Sequence, residues 1–161
     1  MKTEIKYPAS TSVLEYIKRW QSWLQNERRY SPHTLDAYSR DLADFFNFFA
    51  DRQKHPVDIA DLQNADVRIF RSYLSKRATQ YIEKSSIARE LSTIKNFYRW
   101  LSLNNLIENS AISVIGTPKR SKSLPRALDI DQTFNVLDVA GDFAKQKWQG
   151  LRDIAIFTIL Y

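Results

Sequence analysis

Cysteine is absent from the sequence, which excludes disulfides and every cysteine-ligated zinc site. Histidine is nearly so. His33 and His55 are the only two, and neither has a second ligand at metal spacing, so no metal site is expected. No uncharged apolar run reaches the ~18 residues needed to span a bilayer. The opening MKTEIKYPAS lacks the apolar core of a signal peptide. With no cysteine to protect, a cytoplasmic protein is the expectation. Glycine and proline are scarce, at 3 and 5 residues. That scarcity opposes a loop-rich fold, and the many Leu, Ile and Phe favour an all-α one.

Acid is thinnest where base is densest. Residues 1–128 hold 21 Lys+Arg against 13 Asp+Glu, and residues 129–161 hold 3 against 5. A net +8 followed by −2 places any anionic partner on the first part of the chain, and nucleic acid is the commonest such partner. The stretch 84–101, KSSIARELSTIKNFYRWL, sharpens this. At ~100° per residue, Ile87, Leu91, Ile94, Tyr98 and Leu101 share one face. Ser85, Arg89, Ser92, Asn96 and Arg99 share the opposite face, flanked by Lys84 and Lys95, with no carboxylate among them. Cations that neutralise phosphates, set among short hydroxyls and an amide, suit a nucleic-acid groove. An ordinary solvated helix face is the alternative.

In chain order, residues 1–11 read as a frayed leader. A first helix follows over 12–26, with Val13, Tyr16, Ile17, Trp20, Trp23 and Leu24 as a broad apolar face and both tryptophans as packing residues. A second starts at Ser31-Pro32, an N-cap serine before a proline at the first helical position. Its buried stripe is Leu35, Tyr38, Leu42, Phe45 and Phe49. Thr34 and Arg40, with His33, offer a phosphate clamp at its N-terminal end, or simply a capped helix start. Residues 51–61 read as a loop. A third helix covers 64–80, with Arg68, Arg71, Lys76 and Arg77 on a solvated face. The central helix is the fourth, and four helices with short connections make one compact domain.

GTPKRSKSLPRAL, residues 116–128, carries Lys119, Arg120, Lys122 and Arg126 and no acid, and its prolines make it an extended basic linker. Two helices follow, near 129–141 and from 146. The last ends in IAIFTILY, apolar all round, so burial on all sides is expected. A chain ending there leads us to expect a second domain cut short.

Four segments carry a family resemblance: residues 27–49 (ERRYSPHTLDAYSRDLADFFNFF, with Ser31, Thr34, Tyr38, Asp41 and Leu42 in pattern), 85–101, 117–128 and 150–161 (GLRDIAIFTILY). In this order they resemble the N-terminal half of a tyrosine site-specific recombinase of the phage integrase family, Xer type, most nearly its XerC branch. The resemblance implies a SAM-like four-helix core-binding domain at 12–111, a basic linker at 112–128 and the start of a catalytic domain at 129–161. It implies that the second and fourth helices face the major groove of double-stranded DNA. The DNA-facing residues would then be Thr34, Arg40, Ser85, Ser86, Arg89, Lys95 and Arg99, with Lys119 and Arg120 following the backbone. Asn109-Ser110 departs from the usual Asn-Pro, which implies a less rigid turn.

In such enzymes a tyrosine attacks a phosphodiester and arginines stabilise the transition state, with no metal or cofactor. Those groups would lie beyond residue 161. Tyr161 and Arg152 match structural positions, so no catalytic residue is expected here. The implied parent activity is strand exchange at a dif-like site, in a tetramer with a XerD-like partner. Two other readings stand beside it: a standalone DNA-binding competitor of recombination, and a helical protein-interaction module without a DNA role.

Overall fold

The computed structural model describes residues 5–116, 129–139 and 146–160. The chain divides into two compact units, residues 1–120 and 121–161. Both are all-α among the described residues, save one isolated β-bridge.

In the first unit, α1 (Thr11–Asn26) buries Val13, Ile17, Trp20 and Leu24, one residue per turn of a single face. Helix α2 (Pro32–Gln53) starts as its sequence dictates. Ser31 Oγ accepts the Thr34 amide at 3.2 Å, and Pro32 occupies a position whose N–H would have no helical partner. It ends at Lys54, which takes a left-handed conformation (φ 63°). α4 (Val67–Thr79) is capped by Asp66, whose Oδ1 accepts from Ile69 N at 3.0 Å. α5 (Lys84–Leu103) buries all of Ile87, Leu91, Ile94, Tyr98 and Leu101. It also buries Ala88, Glu90, Thr93, Phe97 and Trp100, so its inner face is wider than the predicted stripe.

Aromatic rings weld these helices together. Phe45 stacks on Phe70 at 5.8 Å and meets Tyr73 edge-on at 5.3 Å. Phe97 meets Trp20 at 5.4 Å and Phe46 at 6.1 Å, both edge-on. Such pairs contribute ~0.5–1.5 kcal/mol each beyond their area.

Three expectations about the first unit need correction. Residues 51–61 are not one loop: α2 runs to Gln53, and a short helix α3 (Ile59–Asn64) follows. Asp58 and Asp61 close a capping box there, each carboxylate accepting the other's backbone N–H at 2.8 and 2.9 Å. The N-terminal segment is not frayed from Tyr7 onward. Ser10 N donates to Val57 O and Val57 N to Pro8 O, both at 2.9 Å, and the Tyr7 hydroxyl donates to Ser39 O at 3.0 Å.

The turn at Asn109 is held without the proline. Asn109 Nδ2 lies 2.8–3.1 Å from the carbonyls of Leu62, Gln63 and Ala65, and its Oδ1 accepts Ala111 N at 2.8 Å. That ties the start of the 3₁₀ turn Ala111–Val114 to the α3–α4 junction. Arg77, finally, is not solvated. Its side chain is 17% exposed and makes a fork to Glu90, Nε–Oε2 at 2.8 Å and Nη2–Oε1 at 2.6 Å. Nη2 also reaches Asp44 at 3.1 Å. A buried carboxylate on the neighbouring helix outbids water for this cation.

The second unit contains α6 (Ile130–Val139) and α7 (Lys147–Leu160). Asp129 caps α6, its Oδ1 accepting Gln132 N at 2.7 Å. From Ile154 onward Thr158 is the one polar side chain of α7, yet Ile156, Phe157 and Ile159 are exposed, as is Leu151. Burial on all sides is therefore not what the structure shows. Among the described residues, α6 is the helix that packs against it.

Candidate nucleic-acid interface

The outer face of α5 is built by what its inner face does. Ten buried residues fix the helix rotation, so Ser85, Arg89, Ser92 and Arg99 are left at the surface. From Ser85 to Arg99 the stripe is about 21 Å long at ~1.5 Å rise per residue. The only carboxylate in α5 is Glu90, which is buried and held by Arg77 and by the Tyr73 hydroxyl at 2.9 Å. The burial of Tyr73 itself, and after it the charge and hydrogen bond of Glu90, raise the Tyr73 pKa. Within α5 itself the outer face therefore carries no carboxylate, and the acid beside it is the cap residue Glu83 at its N-terminal end.

The site residues fare differently one from another. Arg89 crosses to α2: Nε donates to Asp41 Oδ2 and Nη2 to Asp41 Oδ1, both at 2.9 Å. The Asp41 side chain is 4% exposed and that of Arg89 46%. Asp41 also accepts from Thr93 Oγ1 at 3.1 Å. Hydrogen bonding to Asp41 raises the Arg89 pKa above its already high ordinary value.

Lys95 is half-buried, and Nζ donates to the Ile115 carbonyl at 2.5 Å. It holds the segment leaving the 3₁₀ turn. Asn96 faces inward enough to accept from Trp20 Nε1 at 2.9 Å. Ser85 Oγ donates to Glu83 at 3.1 Å, and Ser86 is half-buried. Arg99 and Lys84 have no carboxylate within ion-pair distance among the described residues.

On α2, Thr34 Oγ1 lies 2.9 Å from Ser31 Oγ, within the cap. Arg40 pairs with Asp36 at 2.6 Å on an exposed face, one turn away. The Thr34 amide is satisfied by Ser31, which leaves the clamp fewer free donors than the sequence suggests. Lys119 and Arg120 lie outside the described residues. α2 and α5 thus come together through Asp41, Arg89 and Thr93, while Thr34 and Arg40 sit on the N-terminal half of α2.

Asp41 is the residue that sequence reading left without a role. The signal was present: within DLADFFNFF it sits three residues past Tyr38 and four before Phe45, on the stripe side of the helix. A carboxylate placed there needs a cation.

The phage integrase N-terminal SAM-like domain matches residues 17–105, from within α1 to just past α5. The chain belongs to this family. Within the phage integrase SAM-like domain, the four principal helices are α1, α2, α4 and α5, and α3 is a short addition between them. The tyrosine recombinase XerC of Rickettsia prowazekii (strain Madrid E) is 37% identical over 150 residues, 93% of this chain and 49% of the relative. The tyrosine recombinase XerC of Rhodospirillum centenum is 37% identical over 155 residues, 96% of this chain and 46% of the relative. The chain spans about half the length of the curated relatives it matches. No solved structure gives a significant match. Among the described residues no helix is long and apolar enough to cross a membrane, and no cluster of metal-ligating side chains occurs.

Proposed function

We propose that this chain binds double-stranded DNA along α2 and the outer stripe of α5, as the N-terminal portion of an Xer-type tyrosine recombinase. The observation that carries the proposal is the outer surface of α5. Its one carboxylate is turned inward and neutralised, while Lys84 and Arg99, at its two ends, have no ion-pair partner among the described residues. A helix with one face welded into an aromatic core and the other carrying cations and no acid beyond its cap residue Glu83 is an electrostatic footprint for a polyanion. Thr34, Arg40, Ser85, Ser86, Arg89, Lys95 and Arg99 make up the contact set, extended by Lys119 and Arg120 along the backbone. On this reading the chain binds and does not cut. The parent enzyme performs strand exchange in the cytoplasm at a dif-like site, beside a XerD-like partner, and so resolves chromosome dimers.

The test is fluorescence anisotropy with a labelled duplex across a salt series. With ~4–6 phosphate contacts, log K falls with log salt at a slope of about −4 to −5. Arg99→Ala weakens binding to all sequences alike and shallows the slope by about one. Binding that ignores salt refutes the proposal. A covalent protein–DNA adduct on a nicked duplex, seen on a denaturing gel, refutes the non-cutting part.

A further inference from the structure

The Arg89–Asp41 pair has a shape that ordinary packing does not require. Its acid is buried and its base is half exposed, so the ion pair reaches from the core to the surface. The carboxylate engages one edge of the guanidinium, the edge formed by Nε and Nη2. Of the guanidinium's donors, both hydrogens on Nη1 and the outer one on Nη2 stay free. Those form the second fork of the same planar group, which lies at the end of the side chain. A guanine presents two acceptors, O6 and N7, at the spacing such a fork fits.

Two further observations favour a base edge over a phosphate as the target. Arg89 is flanked along the stripe by the short side chains of Ser85 and Ser92, and its side chain stays 46% exposed. Asn96 is turned to Trp20 and does not compete. Of the other cations of α5, Lys95 is held by the Ile115 carbonyl, and Lys84 and Arg99 lie at the two ends of the stripe, where a backbone would pass. Asp41 is itself held by Thr93, which is fully buried, so the acceptor that fixes Arg89 does not move. A long flexible side chain therefore has its rotamer set before any ligand arrives.

From this geometry we infer that Asp41 is a positioning residue that presents the outer fork of Arg89 to a guanine in the major groove, making Arg89 a specificity-determining residue for one G·C pair. The inference rests on the DNA-binding reading above and goes beyond it by naming the base and the residue that aims the reader.

The experiment uses the 161-residue chain. Preferred sites are selected from a randomised duplex pool, and each single base-pair change in the selected site is then scored by anisotropy. Wild type prefers G·C at one position by roughly tenfold or more, the discrimination of one good bidentate contact. Arg89→Lys keeps the charge but has no fork, so the preference at that position collapses and site affinity falls by the same factor. Asp41→Asn leaves Arg89 in place but unaimed, and flattens the same position and no other. Circular dichroism at the assay temperature checks that it is folded. Should Asp41→Asn not fold, Thr93→Val removes only the hydroxyl that anchors Asp41, and a reduced preference at the same position is expected. An unchanged base preference in Arg89→Lys overturns the inference. So does an equal loss for every sequence, which would make Arg89 a phosphate contact. A wild type with no salt-dependent binding refutes the DNA-binding reading itself, and that result is distinct from a binding wild type whose variants read bases normally.

Discussion

Removing Arg77 leaves Glu90 stranded. The Glu90 side chain is 2% exposed, and Arg77 supplies two of the three hydrogen bonds it receives, at 2.6 and 2.8 Å, with Tyr73 supplying the third. In Arg77→Met the carboxylate would keep one neutral donor and no counter-charge. Breaking a buried pair from one side costs about 3–5 kcal/mol. Asp44 also loses a partner, but it is half exposed and can rehydrate, so it adds little. At about 4 °C per kcal/mol for a domain of this size, the melting midpoint falls by roughly 12–20 °C. The single change is compared with Arg77→Met/Glu90→Leu, combined with Tyr73→Phe so that no hydroxyl is orphaned. With all three polar groups gone, stability returns to within about 1 kcal/mol of wild type or exceeds it. Urea unfolding followed by circular dichroism measures both. A loss below about 1 kcal/mol in Arg77→Met, or a triple variant as unstable as the single one, would refute the reasoning.

Three further outcomes follow from single side chains. The Tyr98 hydroxyl is buried without a hydrogen-bond partner among the described residues, so Tyr98→Phe is neutral or stabilising by up to ~1–2 kcal/mol, read from the urea midpoint. Asn109→Ala strips partners from carbonyls at the α3–α4 junction and from Ala111 N, and costs about 1–3 kcal/mol; an unchanged midpoint would show that the turn is held by other means. The His55 pKa is raised above 6.5, chiefly by its hydrogen bond to the Pro56 carbonyl and further by Asp61. The folded state thus favours charged His55. Its contribution is complete below pH 6.5 and is lost as pH rises through the folded value, and an NMR titration giving His55 a pKa at or below 6.5 contradicts this.

The helices of the first unit were readable because local signals and core pattern agree. Ser31-Pro32 marks the start of α2, and the 4-3-4-3 spacing of Ile87 to Leu101 sets the rotation of α5. What escaped reading depends on partners distant in sequence. α3 has only six residues, too few for periodicity, and is defined by a carboxylate exchange between Asp58 and Asp61. Arg77 looked like one of four solvated cations because nothing nearby reveals that Glu90, thirteen residues on, is buried against it. The candidate face shows the same division. Its stripe was legible from spacing, but Asp41 lies 48 residues from Arg89 and the Lys95 bond to Ile115 spans 20. Periodicity tells which way a side chain faces, not which distant group holds it.

On the proposed DNA-binding reading, the Trp20–Asn96 hydrogen bond bears on how this protein could be retargeted. Asn96 looks outward by its place in the stripe, yet its amide oxygen receives a tryptophan N–H from the core. A library that randomises the whole stripe to seek new DNA preferences would lose most members at this position, because changing Asn96 strips a buried indole of its acceptor. Arg89 is under a similar double demand through Asp41. Ser85, Ser92 and Arg99 carry no such debt to the interior. New specificities are therefore most cheaply sought at those three positions, with Asn96 kept fixed and Arg89 varied only together with Asp41.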